Sequence, residues 1–106
     1  MTTVYITCPE DEAAAIARSL VEERLAACVN ALTCQSTYRW DAEVLEEPET
    51  VLICKTSANR YEDLKDRVLD LHPYDVPCIE RFDEDGILSA YAHWRDGAVE
   101  PVNSNS

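Results

Sequence analysis

The stretch over residues 28–56 constrains the fold more than any other part of the chain, because its apolar residues show no helical period. It is rich in Val, Thr, Tyr, Trp and Ile, which favour strands, and a polar break lies near Asp41. We therefore predict a long hairpin, with strands over about residues 29–40 and 44–56. Pro48 indicates a bulge or an edge in the second strand. Each arm spans about 40 Å, against about 27 Å for the preceding helix, so the hairpin should project beyond its cover.

A strand and an acidic helix start precede this hairpin. Residues 3–8 alternate apolar and polar side chains, which predicts a strand that ends at Pro9. Pro9 and the acids that follow it are typical of a first helical turn, with a capping box from Thr7 to Glu10. The helical period runs to about Ala27.

One face of this predicted helix is apolar, but a charge falls within it. The apolar positions are Ala13, Ile16, Ala17, Leu20, Val21 and Leu25. Arg24 falls inside the same arc, where a cation must be paired or must reach past the helix end. We expect Arg24 to be a structural cation near the negative end of the helix dipole.

The second half of the chain begins with another helix. Ser57 or Asn59 caps it, Glu62 completes a capping box from Asn59, and the helix ends near His72. A short edge strand over residues 76–82 follows.

The order of these elements predicts the fold class. A strand, a helix, a hairpin, a helix and a strand form the split β-α-β pattern, so we predict an α+β, ferredoxin-like sandwich with an antiparallel sheet. A third helix over about residues 87–97 completes one domain, 1–97, and a flexible tail follows over 98–106. Residues 51–54 are apolar on both faces of a central strand, whereas the helices cover one face. We expect an identical subunit to cover the other face.

The charge balance limits the partners. The chain has 21 acidic and 9 basic residues, a net charge of −12, which repels nucleic acid and anionic membranes. No apolar stretch is long enough to span a bilayer and no secretory signal is visible, so we expect a cytoplasmic protein. The acids are spread over the whole chain. They indicate either adaptation to high salt or an ordinary acidic cytosolic protein.

Cysteine spacing and the absence of catalytic motifs limit the chemistry. The five cysteines form no C-x-x-C pair, which argues against a disulfide framework and a zinc ribbon and predicts reduced thiols. No nucleophile elbow, Walker loop, dinucleotide fingerprint or H-E-x-x-H motif occurs, and glycine is limited to Gly86 and Gly97. We therefore predict a protein that is not an enzyme.

Four segments together resemble the CutA divalent-cation tolerance family. They are Arg-Leu-Ala-Ala-Cys-Val-Asn at 24–30, the stretch 36–40, Ile-Cys-Lys-Thr at 53–56 and His-Pro-Tyr-Asp-Val-Pro at 72–77. The resemblance covers about residues 4–94. It implies an interlocked homotrimer of ferredoxin-like subunits, similar to the PII nitrogen-regulatory proteins, and a link to tolerance of copper or other divalent metals.

Three positions depart from the family pattern. The hairpin tip, often Trp-x-Gly-x, has Ala42 in place of glycine, Leu71 stands where some members carry a second histidine, and Cys78 replaces a glutamate after Pro77.

The resemblance implies Cys8 and His72 as metal ligands. Thiolate and imidazole suit copper or zinc, and the split β-α-β topology brings both residues to one edge of the sheet. A complete site would need Glu10, Asp75, water or a neighbouring subunit as well. The alternative is that His72 caps a helix end and Cys8 belongs to the core.

A second candidate site uses Cys28, Trp40, Lys55 and Tyr74 in an intersubunit cleft. Lys55 could bind an anionic ligand there, or pair with a buried Glu or Asp. The aromatic residues could line the cleft or pack at an interface. By topology Cys28 and Lys55 lie at the opposite edge from Cys8 and His72, unless a neighbouring subunit brings the edges together.

These observations lead to one main interpretation and two alternatives. The main one is a non-enzymatic homotrimer in divalent metal tolerance, which binds copper or another divalent ion weakly and needs no obligatory cofactor. The alternatives are a PII-like protein that senses a small molecule in its intersubunit clefts, and a structural trimeric scaffold.

Overall fold

Seven helices and strands follow one another in the computed structural model, which describes residues 2–102. They are β1 (Thr2–Pro9), α1 (Glu10–Glu22), β2 (Cys28–Trp40), β3 (Glu43–Thr56), α2 (Tyr61–Leu71), β4 (Ile79–Phe82) and α3 (Ser89–Ala98). The sheet is antiparallel with the strand order β2-β3-β1-β4. The predicted α+β, ferredoxin-like architecture is confirmed.

The core lies between α1, α2 and one face of the sheet. In β1, Val4 and Ile6 are fully buried, and their partners Cys54 and Leu52 in β3 are buried on the same side. The helices complete the core with Ile16, Leu20, Leu64 and Val68. We call this side of the sheet the helix face.

The hairpin of β2 and β3 is as long as the sequence predicts. Pairing runs without a break from Cys28 opposite Lys55 to Trp40 opposite Glu43. Because β1 pairs with β3 only as far as Glu49, the rest of the hairpin has no other neighbour in the sheet. Pro48 therefore lies at an edge and causes no bulge. We call the part of the hairpin beyond Glu49 the hairpin arm.

The arm closes with a two-residue turn that carries two positive φ angles. Asp41 has a φ of 50° and Ala42 a φ of 65°. Both central residues of a type I′ turn need such angles, which match the twist of the flanking strands. At such an angle the Cβ of Ala42 causes a steric cost of about 1–2 kcal/mol, whereas a glycine at this position would have none.

The first helix ends earlier than its apolar period predicts. It stops at Glu22, because Arg24 adopts a left-handed φ of 61°. The N–H groups of Leu25 and Ala26 both donate to the carbonyl oxygen of Leu20, at 2.9 and 3.0 Å, and close the helix end. The predicted helical period to Ala27 is therefore wrong, and Arg24 lies exposed just beyond the C-cap Glu23 and not on the apolar face of the helix.

Neither predicted capping box forms. The N-cap of α1 is Pro9, and no side chain caps the helix, because Thr7 is still part of β1. A single 3₁₀ turn, Ala58–Arg60, leads into α2, whose N-cap Arg60 also makes no side-chain cap.

The C-terminal elements are shifted from their predicted bounds. The last strand begins at Ile79 and not at residue 76. Helix α3 ends at Ala98, and the next residue, Val99, is only 1% exposed, so ordered structure continues past residue 97. Residues 103–106 of the predicted tail lie outside the described residues.

The second face of the sheet, which we call the open face, has no helical layer of its own. Its apolar side chains are Tyr5, Leu32, Val51, Ile53 and Phe82, all half-buried or exposed. An ion pair of 3.6 Å between Arg95 and Glu84 fixes helix α3 at one end of the open face. Glu84 in turn accepts a hydrogen bond from the open-face residue Thr3. The rest of the open face faces outward. Within residues 2–102 no helix is long and apolar enough to cross a bilayer.

Candidate functional site

A cavity of about 650 Å³ opens between the hairpin arm and the loop that joins α2 to β4. Its lining residues are Thr7, Ser36, Thr37, Tyr38, Trp40, Glu47, Glu49, Pro73, Tyr74, Asp75, Val76 and Cys78. Strand alternation places Tyr38, Glu47 and Glu49 on one side of the hairpin, which continues the open face of the sheet. The cavity therefore lies at the hairpin end of the open face.

Two carboxylates in the cavity are each held by a tyrosine. The Tyr38 hydroxyl donates to Oε2 of Glu47 at 2.9 Å, and the Tyr74 hydroxyl donates to Oε2 of Glu49 at 3.1 Å. Burial, followed by the Glu49 charge, raises the pKa of Tyr74 to about 12. The hydrogen bond to Glu47 raises the pKa of Tyr38. Both phenols stay protonated at neutral pH and act as fixed donors.

His72 lies at the same edge of the sheet as Cys8, as the topology predicts. Its Nε2 donates to the carbonyl oxygen of Thr7 at 2.8 Å, and its Nδ1 accepts from the backbone N–H of Tyr74 at 3.2 Å. This pairing fixes the tautomer with the proton on Nε2 and uses both ring nitrogens. The imidazole thus ties the end of α2 and the following loop to β1.

Cys8 is fully buried on the helix face of β1. Its thiol lies 3.7 Å from the carbonyl oxygen of Thr50, to which it donates. Burial raises the pKa of the Cys8 thiol to about 11, and the Glu49 carboxylate adds to the rise. Metal ligation needs the thiolate, so a metal at Cys8 must displace a tightly held proton. Nowhere in residues 2–102 do three or more His, Cys, Asp or Glu side chains form a ready metal cluster.

The four residues of the second candidate site fall into two groups. Trp40 and Tyr74 line the cavity, whereas Cys28 and Lys55 pair with each other at the far end of the hairpin. Lys55 donates from Nζ to Oδ1 of Asn30 at 3.0 Å. Lys55 forms no ion pair within residues 2–102, so the alternative in which it pairs with a Glu or Asp of its own chain is wrong.

Sequence reasoning missed the carboxylates and Tyr38 as lining residues. The signal was the hairpin register: with a two-residue turn at residues 41–42, Tyr38, Glu47 and Glu49 must share one side. Their approach to Tyr74 depends on the path of the loop after α2. No local pattern encodes that path.

Comparison with solved structures defines the class of protein. The chain superimposes on the PII-like protein CutA from Nostoc sp. PCC 7120 with a TM-score of 0.92 at 35% identity, covering 96% of this chain and 100% of that one. The fold is therefore PII-like.

Sequence comparison then gives the family. A family model described as CutA1 divalent ion tolerance protein matches residues 2–98. The divalent-cation tolerance protein CutA of Pyrococcus horikoshii is 40% identical over 95 residues, 89% of this chain and 93% of that protein. The protein of the same name from Thermus thermophilus is 53% identical over 78 residues, 72% of this chain and 76% of that one. The chain belongs to the CutA1 divalent ion tolerance protein family.

Proposed function

We propose that the protein is a non-enzymatic homotrimer that takes part in divalent-cation tolerance and binds a divalent metal such as copper weakly. The observation that carries this proposal is the family match over residues 2–98, which spans all the described helices and strands. The name shared by its relatives supplies the biological role.

The assembly part of the proposal is supported by the open face. Leu32 and Phe82 are 50% and 54% exposed there, beside the half-buried Val51 and Ile53. Contiguous apolar surface of this kind marks a protein interface in a water-soluble domain. The hairpin arm adds unpaired strand edges that a neighbouring copy can pair with. A stable interface typically buries about 800 Å² on each partner.

The metal part of the proposal rests on Cys8 and His72 at one edge of the sheet. Binding there requires His72 to release the N–H of Tyr74 from Nδ1 and Cys8 to lose its proton. Both steps oppose ligation, so we expect the metal to bind weakly and to displace a proton. A complete site would also need Glu10, Asp75, water or a neighbouring subunit as a ligand.

Calorimetric titration of Cu²⁺ into the wild type and two histidine variants tests this site. The chain has two histidines, so His93→Ala, at an exposed position of α3, is a matched control for His72→Ala. We expect the wild type and His93→Ala to bind the ion alike and His72→Ala to lose the site. Repeating the wild-type titration in buffers of different ionisation enthalpy measures the proton released. Equal binding by all three proteins would remove the metal assignment.

The cavity favours a second function, the sensing of a small molecule. Its volume of about 650 Å³ falls within the range of about 300–1,000 Å³ that ligand sites occupy. A thermal-shift screen tests this function, because a ligand at 100 times its dissociation constant adds about 2.7 kcal/mol of stability. No shift with any ligand would favour the scaffold alternative. The cytoplasmic location and the preference for high salt stay predictions.

A further inference from the structure

The cavity beside the hairpin arm holds negative charge that the chain does not neutralise. Glu49 is only 5% exposed, lines the cavity and has the Tyr74 hydroxyl as its hydrogen-bond partner. Glu47 and Asp75 line the same space. None of the lysines and arginines of residues 2–102 is among the lining residues. A buried carboxylate such as that of Glu49 normally has a cationic partner, because desolvating an unpaired charge is costly.

The chain has few cations left to supply. Six of its nine basic side chains already form ion pairs with carboxylates. Arg24, Arg39 and Lys55 form no ion pair within residues 2–102, and Lys55 is held by Asn30 at the far end of the hairpin. The chain carries 21 acids in all. The missing counter-charge in the cavity is thus best supplied from outside the chain.

The walls of the cavity indicate which kind of cation fits. Trp40 and Tyr74 line it together with the carboxylates, and Trp40 is half exposed. Aromatic faces attract ammonium and guanidinium groups, and they also cover apolar parts of a ligand. We propose that this cavity binds a small organic cation, an ammonium or guanidinium compound that carries an apolar group. The proposal rests on the second proposed function and names the chemical class of its ligand.

An inorganic ion and an anion both fit the cavity less well. Tyrosine hydroxyls occupy one oxygen of Glu47 and one of Glu49, and no ready cluster of metal-binding side chains exists within residues 2–102. A volume of about 650 Å³ is also far larger than a metal ion needs. An anion would meet carboxylates without any lysine or arginine, because Lys55 is not in the cavity.

Three probes of similar size and different charge test the proposal at pH 7 and constant ionic strength. They are benzyltrimethylammonium, benzyl alcohol and phenylacetate, each titrated by calorimetry into the wild type, Glu49→Gln and Glu46→Gln. Glu46 is a matched control, since it is exposed and points to the other side of the hairpin arm. We expect wild type to prefer the ammonium probe by about tenfold or more, and Glu49→Gln to lose about tenfold in affinity. Glu46→Gln should stay within about twofold of the wild type, because an exposed charge contributes little.

Three results would overturn the proposal: no binding of the ammonium probe by the wild type, equal binding of the three probes, or equal losses in both variants. If Glu49→Gln does not fold, as judged by circular dichroism, Glu47→Gln replaces it with the same expectation. Sedimentation of the same samples separates this inference from the assembly. A trimer that binds none of the probes refutes the organic cation and leaves the assembly standing. If Glu49→Gln dissociates that non-binding trimer, the counter-charge is a basic residue of a neighbouring copy.

Discussion

The two faces of the sheet are built from the same strands, yet only one of them is finished by the chain itself. On the helix face, Val4 and Ile6 of β1 and Leu52 of β3 are fully buried under α1 and α2. On the open face, the intervening Tyr5 and Ile53 are only partly buried. Residue type does not explain the difference, because both faces are largely apolar. The comparison teaches that one chain completes the helix face, whereas the open face is left for the neighbouring copy that we propose.

The largest expected effect comes from substituting two adjacent residues of β3, Leu52 and Ile53, which lie on opposite faces of the sheet. Leu52→Ala removes fully buried methyl groups and should lower the free energy of unfolding by about 2–5 kcal/mol at every protein concentration. Ile53→Ala, on the open face, should weaken self-association, so its loss of stability should depend on concentration. Urea unfolding at several protein concentrations measures both. The same concentration dependence in the two variants would break the distinction.

A substitution of Arg95 tests whether its ion pair fixes α3 at one end of the open face. It is 1% exposed, and its partner Glu84 is hydrogen bonded to Thr3. Arg95→Met should lower the free energy of unfolding by about 3 kcal/mol, because it leaves a largely buried carboxylate without its cation. Arg18→Met, which breaks the exposed pair with Glu22, is the control and should cost about 0.5 kcal/mol or less. Similar losses in both variants would mean that α3 does not depend on Arg95.

The helix face should lose stability in alkali. Burial raises the pKa of Cys8 to about 11 and that of Cys54 to about 12. Above the ordinary thiol pKa the unfolded chain releases protons that the folded chain keeps, so stability falls as pH rises from about 9 towards 11. Each thiol adds about 1.4 kcal/mol per pH unit to this slope. Cys54→Ala should flatten the slope by one thiol in urea unfolding between pH 8 and 10.5. An unchanged slope would show that Cys54 does not cause it.

The smallest expected effect concerns the tip of the hairpin arm. Ala42→Gly relieves a positive φ and should raise the free energy of unfolding by about 0.5–1 kcal/mol. Ala14→Gly, at an exposed position inside α1, should lower it by a similar amount, because glycine is a poor helix former. Thermal unfolding of the two variants should therefore give shifts of opposite sign. A destabilised Ala42→Gly would contradict a left-handed turn at the tip.

The sequence predicts the larger features of this fold well, because they arise from periodic patterns. The alternation in residues 3–8 and the absence of a helical period in 28–56 are enough to give β1 and the hairpin. The end of α1 could not be predicted, because Arg24 takes a left-handed conformation that usually belongs to glycine. The predicted capping boxes were also wrong, since neither α1 nor α2 uses a side-chain cap.

The candidate site was predictable in part. Topology brings His72 to the edge of the sheet where Cys8 lies, but it does not reveal that both imidazole nitrogens are engaged. Trp40 and Tyr74 were expected in one cleft and do line one cavity. The separation of Lys55 from them follows from the length of β2, because Lys55 pairs with Cys28, the first residue of that strand, and Trp40 is its last residue.

Sedimentation equilibrium at micromolar protein, in low and in high salt, tests the central claim most directly. A chain of 12.0 kDa whose open face is covered by its own copies should sediment as a single species of three subunits, about 36 kDa. Ile53→Asp, which puts a charge on that face, should shift the population towards the single chain. A wild-type protein that sediments as a folded 12.0 kDa particle in both salts would contradict the claim.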